Sequence, residues 1–190
     1  MAEQYIDLFA DTAQVHPDDL ALLDRHLSTV AGRVLDMGCG PGHLTAHLRS
    51  RGVDATGIDL VPEFIAHAST TNPDVPFVIG SMLGLPVPDG SVAGVLAWYS
   101  LIHMSPDDLD AALAELRRAM APGGTLAVGF FDGEEQMTFD HKVITARYWP
   151  VDELSERLRA AGFDELERAR RPGTDVPGDR PHAAIVALAV

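Results

Sequence analysis

The stretch from Val34 to Thr45 reads VLDMGCGPGHLT, an apolar run that leads into three alternating glycines and then into a helical pattern. Glycines in such a turn let the backbone bend tightly and let a ligand approach the main chain. The N–H groups at the start of the following helix have no partner within that helix, so they are available to the ligand. The stretch therefore predicts a strand, a glycine loop and a helix that bind a nucleotide-like molecule.

On both sides of this loop, short apolar runs alternate with helical patterns, which is typical of an α/β fold with a mostly parallel sheet and helices on both faces. The last two runs are joined by turn residues over 172–178, so they are expected to pair as an antiparallel hairpin. We predict helices over 17–30, 42–52, 62–71, 106–120 and 150–161. The seven predicted strands are Arg33–Met37, Ala55–Asp59, Pro76–Gly80, Gly94–Trp98, Thr125–Phe131, Glu165–Arg170 and Ala183–Val190.

The length of 190 residues is close to that of one domain. Within a single domain over 1–190, we expect a helical lid over 1–30, a core with the glycine loop over 31–130, and a C-terminal helix and hairpin over 150–190. The connection over 131–149 is long, and loops of this length are often binding lids.

The chain is strongly acidic, with a net charge of −14 from 14 Lys and Arg against 28 Asp and Glu. Such a surface repels phosphate backbones, so no nucleic-acid partner is expected. No apolar run approaches the roughly 20 residues that span a bilayer, and the first ten residues do not resemble a leader. We expect no membrane partner and a cytoplasmic location. Cys39 is the single cysteine, so no intramolecular disulfide is possible.

Two carboxylates narrow the choice of ligand. Asp59 ends the second strand 19 residues after Gly40, a spacing that suits hydrogen bonds to both ribose hydroxyls. Alternatively, Asp59 caps the helix that begins near Pro62. Asp36 precedes the loop and would repel a pyrophosphate, but it suits an ammonium group. S-adenosylmethionine carries a sulfonium and an ammonium and no phosphate, so the electrostatics favour it over NAD.

With these motifs in order, the sequence resembles the class I S-adenosylmethionine-dependent methyltransferases, and among them the small-molecule enzymes of ubiquinone and menaquinone biosynthesis. The resemblance covers residues ~30 to ~130 well and the last 40 loosely. It rests on the glycine loop, on Gly57-Ile58-Asp59, on Gly80-Ser81-Met82 with Leu85-Pro86 following, and on Leu116-Arg117-Arg118 through Pro122-Gly123-Gly124. It implies a Rossmann-like fold.

The resemblance also implies where the cofactor lies. The family commonly has Asp where this chain has Ser81, and Phe-Asp where it has Val92-Ala93. A hydroxyl accepts a hydrogen bond from the adenine amino group more weakly than a carboxylate does. The expected cofactor contacts are Asp36, Gly38, Cys39, Gly40, His43, Asp59, Leu60, Ser81, Met82, Ala97 and Trp98.

The acceptor is expected outside the carboxyl end of the fourth strand. His103 is the first candidate for a general base, because an oxygen acceptor of high pKa must lose its proton; alternatively it packs near Ser105. Tyr99, a second catalytic candidate, and Trp98 present π faces to a sulfonium or a flat acceptor, or else pack in the core. Tyr5, His141 and Tyr148 are candidate substrate contacts. The acidic residues over 131–149 are irregularly spaced, so no metal is expected.

The sequence thus predicts methyl transfer from S-adenosylmethionine to a small-molecule acceptor, with S-adenosylhomocysteine as product, by a monomer or homodimer. Two alternatives stay open. One is a protein that binds S-adenosylmethionine without transferring methyl, and the other is an NAD-dependent oxidoreductase.

Overall fold

The computed structural model describes residues 12–141, 144–174 and 180–190, with His141 described by its backbone alone. The helices of this part of the chain are α1 (Pro17–Leu27), α2 (His43–Ser50), α3 (Pro62–Thr71), α4 (Pro106–Ala119) and α5 (Val151–Ala160). The strands are β1 (Arg33–Met37), β2 (Asp54–Asp59), β3 (Phe77–Ile79), β4 (Val92–Trp98), β5 (Met120–Asp132), β6 (Met137–His141), β7 (Ile144–Trp149), β8 (Phe163–Arg171) and β9 (His182–Ala189). Single 3₁₀ turns lie at Thr12–Gln14 and Leu101–His103.

The strands form one sheet in the order β3-β2-β1-β4-β5-β7-β6, with β9 also paired to β5 and β8 paired to β9. The pairs β1–β2, β1–β4, β2–β3 and β4–β5 are all parallel. The carboxyl ends of β1 to β5 therefore meet at one edge of the sheet, and this is the edge at which open α/β sheets bind ligands.

Helices cover both faces of the sheet, as the alternation of strand side chains requires. Val34 of β1 packs in one buried cluster with residues of α1 and α2. Its neighbour Leu35 packs in the other cluster, with residues of α4 and α5. Helices from the N-terminal half of the chain thus cover one face of the sheet, and helices from the C-terminal half cover the other.

The start of α4 shows how local sequence fixes these helices next to the site. The Ser105 hydroxyl accepts the Asp108 N–H at 3.2 Å, and Pro106 occupies the first turn. A hydroxyl cap and a leading proline both favour a helix beginning at this point. The buried side chains Leu109, Leu113 and Leu116 then face the sheet at helical spacing.

The predicted fold class is confirmed: the sheet is mostly parallel, and β8 and β9 form the antiparallel C-terminal hairpin. Strand and helix boundaries differ from the predicted ones by a few residues. The larger extent of β5 includes a register shift opposite β4, between Val92 and Gly94.

The predicted count of seven strands and the predicted loop over 131–149 were wrong. Most of that segment forms an antiparallel hairpin of β6 and β7, and β7 pairs parallel to the end of β5. Phe139 and Tyr148 of this hairpin pack on the sheet, with ring centroids 5.4 Å and 6.4 Å from that of Phe131 in β5. The acidic residues around it concealed this strand pattern. No helix in the described part of the chain is long and apolar enough to cross a membrane.

Candidate functional site

A cavity of about 630 Å³ opens beside the glycine loop at the carboxyl edge of the parallel strands. Its walls come from the loop, from the ends of β4, β5 and β8, from the start of β9, and from α1 with the residues before it. The lining residues are Gln14, Val15, His16, Asp19, Asp36, Gly38, Cys39, Gly40, Pro41, His43, Leu44, Trp98, Tyr99, Phe131, Arg171, Pro172, Thr174 and His182.

The glycine loop adopts backbone angles that other residues disfavour. Gly38 and Gly40 have φ values of 73° and 52°, in the left-handed region that glycine enters at no steric cost. A Cβ on Gly38 would lie 2.4 Å from the Cβ of Ser100. The Gly38 N–H donates to the Ile58 carbonyl at 2.7 Å, so the loop is tied to the end of β2.

Asp59 joins this loop to the turn after β2. Its Oδ2 accepts the Gly40 N–H at 2.9 Å, and its Oδ1 accepts the Val61 N–H at 2.9 Å. The second bond fixes the turn into α3, whose cap position is Val61, so the structural role considered for Asp59 is present. Each carboxylate oxygen keeps a lone pair for a further donor. Asp59 does not line the cavity itself but lies directly behind the loop.

Asp36 is buried at the cavity wall and accepts the Thr45 hydroxyl at 2.6 Å. Burial raises the pKa of Asp36 to about 7; the Thr45 hydrogen bond opposes this rise and the charge of Asp59 reinforces it. A cation in the cavity would favour the ionised carboxylate. Thr45 was not predicted as part of the site, although a hydroxyl on the apolar face of α2 is a signal for it.

The residues expected around adenine lie outside this lining. The Ser81 hydroxyl accepts the Leu83 N–H at 3.1 Å, so it is held in a local turn after β3. Met82 is buried, whereas Leu60 is 66% exposed beside Asp59. Ala97, near the end of β4, is fully buried. The structure thus brings together the predicted Asp36, the loop, His43 and Trp98, with the remaining candidates along the adjacent strand ends.

Trp98, the last residue of β4, and Tyr99, which follows it, also line the cavity. The Trp98 ring lies directly over Gly129, where a Cβ would be 2.6 Å from it. Tyr99 has a φ of 53°, the single positive value outside glycine in the described residues; such backbone strain clusters at functional sites. Its hydroxyl hydrogen-bonds Nδ1 of His182.

Phe131 and His182 were not predicted, and they complete this wall. The Phe131 ring centroid lies 5.0 Å from that of Tyr99 and 5.3 Å from that of His182. His182 faces Phe131 because the two are paired across β5 and β9. A histidine that begins the last strand was the one signal for it.

His103 lies on the turn after β4, outside the cavity lining. Its Nδ1 donates to the Thr145 carbonyl of β7 at 2.9 Å. Although one edge of the side chain is exposed, partial burial of the ring lowers the pKa of His103, so the neutral imidazole is favoured. Tyr148 packs against Phe139 behind the cavity wall. The His141 side chain and Tyr5 lie outside the described residues.

An ion pair closes the side of the cavity near α1. Arg171, at the end of β8, donates to both carboxylate oxygens of Asp19, at 3.0 and 3.2 Å. Asp19 is 13% exposed. The pair places one positive and one negative charge on the cavity wall, and neither residue was predicted.

The described side chains include no group of three or more His, Cys, Asp or Glu placed to hold a metal ion. Cys39 is buried, and burial with the charges of Asp36 and Asp59 raises its pKa, so its sulfur stays a thiol. A thiol is a poor nucleophile. Cys39 is therefore unsuited to act as a nucleophile.

The chain shares sequence and fold with known methyltransferases. A family model described as "Methyltransferase domain" matches residues 34–124. A malonyl-[acyl-carrier protein] O-methyltransferase of Serratia marcescens is 35% identical over 174 residues, which cover 74% of this chain and 68% of that protein. Other curated relatives are longer, and the chain spans about half of their length, 46% or 52%.

The fold is shared with solved structures of other proteins. The 1,6-didemethyltoxoflavin-N1-methyltransferase of Burkholderia thailandensis, with 1,6-didemethyltoxoflavin and S-adenosylhomocysteine bound, is 27% identical with a TM-score of 0.76; the match covers 92% of this chain and 77% of that one. The [4+2]-cyclase SpnF is 24% identical with a TM-score of 0.75, over 90% and 80% of the two chains. With the glycine loop and the sheet order in place, the chain belongs to the Rossmann-like S-adenosylmethionine-dependent methyltransferases.

Proposed function

We propose that this protein transfers the methyl group of S-adenosylmethionine to a small-molecule acceptor and leaves S-adenosylhomocysteine. The observation that carries this proposal is the buried Asp36 carboxyl at the wall of the glycine-loop cavity. A buried carboxylate repels a pyrophosphate and favours an ammonium group, because opposite charges attract strongly where water is excluded. S-adenosylmethionine presents such an ammonium and no phosphate.

The residues around the loop fit the cofactor from one end to the other. Asp36 and His43 suit the methionine end, and the backbone of Gly38 to Gly40 permits close approach. Asp59, behind the loop, suits the ribose hydroxyls. The exposed side chains Leu60 and Ile79, at the ends of β2 and β3, offer apolar surface to a flat adenine ring.

Ser81 and Met82, just after β3, stay proposed adenine neighbours, and Cys39 and Ala97 stay proposed cofactor contacts. The bound cofactor supplies an activated methyl group on a sulfonium that leaves as a neutral thioether. The protein aligns the acceptor with that methyl group, and such alignment supplies much of the rate of a displacement.

The part of the cavity that is lined by aromatic residues suits the acceptor. Trp98, Tyr99 and Phe131 provide aromatic surface, and His182 with the Asp19–Arg171 pair provides polar groups. We place Tyr99 nearest the acceptor because it lines the cavity, whereas His103 does not. His103 and Tyr148 are proposed to hold the residues that contact the acceptor. Contacts of Tyr5 and His141 with the acceptor stay predictions.

A small acceptor also fits the charge of the chain. The net charge of −14 opposes a nucleic-acid substrate. A cytoplasmic location and a monomeric or homodimeric state stay predictions that follow from the sequence.

A second candidate function is binding of S-adenosylmethionine without methyl transfer. The observation that favours it is the shared fold of the [4+2]-cyclase, since one fold hosts different chemistries. An NAD-dependent oxidoreductase is disfavoured by Asp36, for the electrostatic reason given above.

Calorimetric titration with S-adenosylhomocysteine tests the proposal, with NADH as the control ligand. We expect micromolar binding of S-adenosylhomocysteine and none of NADH. A screen of small-molecule acceptors with methyl-labelled S-adenosylmethionine follows. NADH binding without S-adenosylhomocysteine binding would overturn the assignment, and cofactor binding with no labelled product in a broad screen would favour the second candidate.

A further inference from the structure

Tyr99 and His182 form a hydrogen-bonded pair, and both residues line the cavity. The proposed cofactor contacts include neither of them. We propose that this pair is a proton relay that accepts the proton of an acceptor hydroxyl, so the acceptor class is phenols. The inference rests on the proposed function and adds to it the methylated atom and the group that receives the proton.

Both members of the pair are held by the backbone of the sheet. The Tyr99 N–H donates to the Gly129 carbonyl at 2.9 Å, directly after β4. His182 begins β9 and is paired with Phe131 of β5. Because strand pairing fixes both backbones, the hydroxyl and the imidazole meet with little freedom to separate, which is the preorganisation that proton transfer requires.

The surroundings explain why Tyr99 needs a partner. Burial, and then the charge of Asp19, raise the pKa of the Tyr99 hydroxyl, while Arg171 opposes this rise. Tyr99 alone therefore does not lose its proton near neutral pH. Asp19 and Arg171, the charged groups that face the pair from α1 and β8, bind each other and largely cancel. From the loop side and the segment before α1, the titratable groups of the cavity are Asp36, Cys39, His43 and His16.

The proton and the electrons balance without any further reactant. As the acceptor oxygen forms its bond to the methyl carbon, the electron pair of the breaking carbon–sulfur bond stays on sulfur. The acceptor proton moves to the Tyr99 oxygen while the Tyr99 proton moves to Nδ1 of His182. The resulting imidazolium then releases one proton to solvent.

Phenols suit this arrangement better than alkyl alcohols. A phenol, with an ordinary pKa of about 10, lies within a few units of an imidazole at about 6.5, so the transfer is feasible. Its flat ring also matches the aromatic wall of Trp98, Tyr99 and Phe131.

The probe 4-nitrophenol tests the relay, because its phenolate absorbs visible light. It is titrated with acid and base while bound to protein that is saturated with S-adenosylhomocysteine. We expect the bound phenolate to form about one pH unit below the free probe, the size of shift that one well-placed partner produces.

Three variants separate proton uptake from positioning. Y99F removes the relaying oxygen and should abolish the shift. H182N keeps an acceptor near the position of Nδ1 but cannot take a proton, so the probe should bind without the shift. H67N, on the surface of α3, should behave like the unaltered protein.

The outcomes are distinguishable. If S-adenosylhomocysteine fails to bind, the proposed function itself is wrong. If it binds and the probe either does not bind, or binds with the pH midpoint of the free probe, the relay is wrong and the proposed function stands. A shift that persists in H182N would also overturn the relay. Retained S-adenosylhomocysteine affinity in each variant shows that the fold is intact.

Discussion

The backbone N–H of Gly40 donates a hydrogen bond of 2.9 Å to Oδ2 of Asp59. This bond crosses from the loop after β1 to the end of β2, so the Asp59 carboxylate adds a side-chain tie to the backbone bond between Gly38 and Ile58. The second oxygen of Asp59 holds the turn into α3 through the Val61 N–H. A residue expected to contact the ribose is therefore also part of the scaffold on which the loop rests.

Replacing Asp59 with Ala should weaken S-adenosylhomocysteine binding by about 1.5–3 kcal/mol, the range for hydrogen bonds to a charged group. Calorimetric titration measures the change. D54A is the matched control, since Asp54 begins the same strand and pairs with Arg49 at 3.0 Å on the surface, and such exposed pairs contribute little. Unchanged affinity in D59A would show that Asp59 serves the scaffold alone.

Asp36 should make the stability of the ligand-free protein depend on pH. The native state keeps the Asp36 proton up to about pH 7, whereas the ordinary value of 3.8 applies to the unfolded chain. Between these values the native state binds more protons, so the free energy of unfolding should fall as pH rises, by on the order of a few kcal/mol.

This dependence is checked by denaturant unfolding of the ligand-free protein and of D36N. The free energy of unfolding is measured between pH 4 and pH 7, at intervals of about one pH unit. D36N has no proton to lose at this position, so the fall should be smaller in the variant. Equal slopes in the two proteins would mean that Asp36 is already ionised in the native state.

The fold was largely predictable because its signals are local. A few consecutive residues are enough to predict the strand, glycine loop and helix over 34–45. The same holds for the acidic end of β2. The hairpin of β6 and β7 was missed because Phe139 and Tyr148 pack on the sheet against Phe131 of β5, a contact that no local pattern reports.

The two halves of the candidate site differed in the same way. Asp36, His43 and the loop follow one another in sequence, so the cofactor half could be predicted. The residues Asp19, Arg171 and His182 are brought to the cavity by the sheet topology from both ends of the chain. His103 stands close in sequence to Tyr99, yet its side chain bonds β7 and leaves the cavity wall to Tyr99.

The loop should tolerate no side chain at position 38. In G38A the new Cβ would lie 2.4 Å from that of Ser100, and φ is 73°. G52A is the matched control, because φ is 85° there but nothing lies within 4 Å of the new Cβ. A left-handed alanine costs about 1–2 kcal/mol, so G52A should lose roughly this much stability and keep its cofactor affinity.

G38A carries the same backbone cost and the clash in addition, so it should lose more stability than G52A and most of its S-adenosylhomocysteine affinity. Thermal unfolding and calorimetry measure the two effects. Equal losses in both variants would mean that the segment around Ser100 moves aside easily, and that the close approach to Gly38 has no role in the shape of the loop.

The ion pair of Asp19 and Arg171 should tune the site for the charged form of the cofactor. In D19N the Arg171 charge is left uncompensated on the cavity wall, where it opposes a sulfonium. S-adenosylmethionine carries that charge and S-adenosylhomocysteine does not. The dissociation constant of S-adenosylmethionine divided by that of S-adenosylhomocysteine should therefore rise about threefold to tenfold. This change corresponds to roughly 1 kcal/mol of repulsion across a partly screened site.

The opposite variant, R171Q, leaves Asp19 uncompensated and should lower the same ratio. D110N breaks a comparable pair, Asp110 with Arg157 at 2.8 Å between α4 and α5, and should leave the ratio unchanged because neither residue lines the cavity. If D19N weakens both ligands equally, the pair acts by holding α1 against β8 and its field does not reach the sulfonium. A ratio that moves in opposite directions in D19N and R171Q requires the field, since loss of the contact is common to both variants.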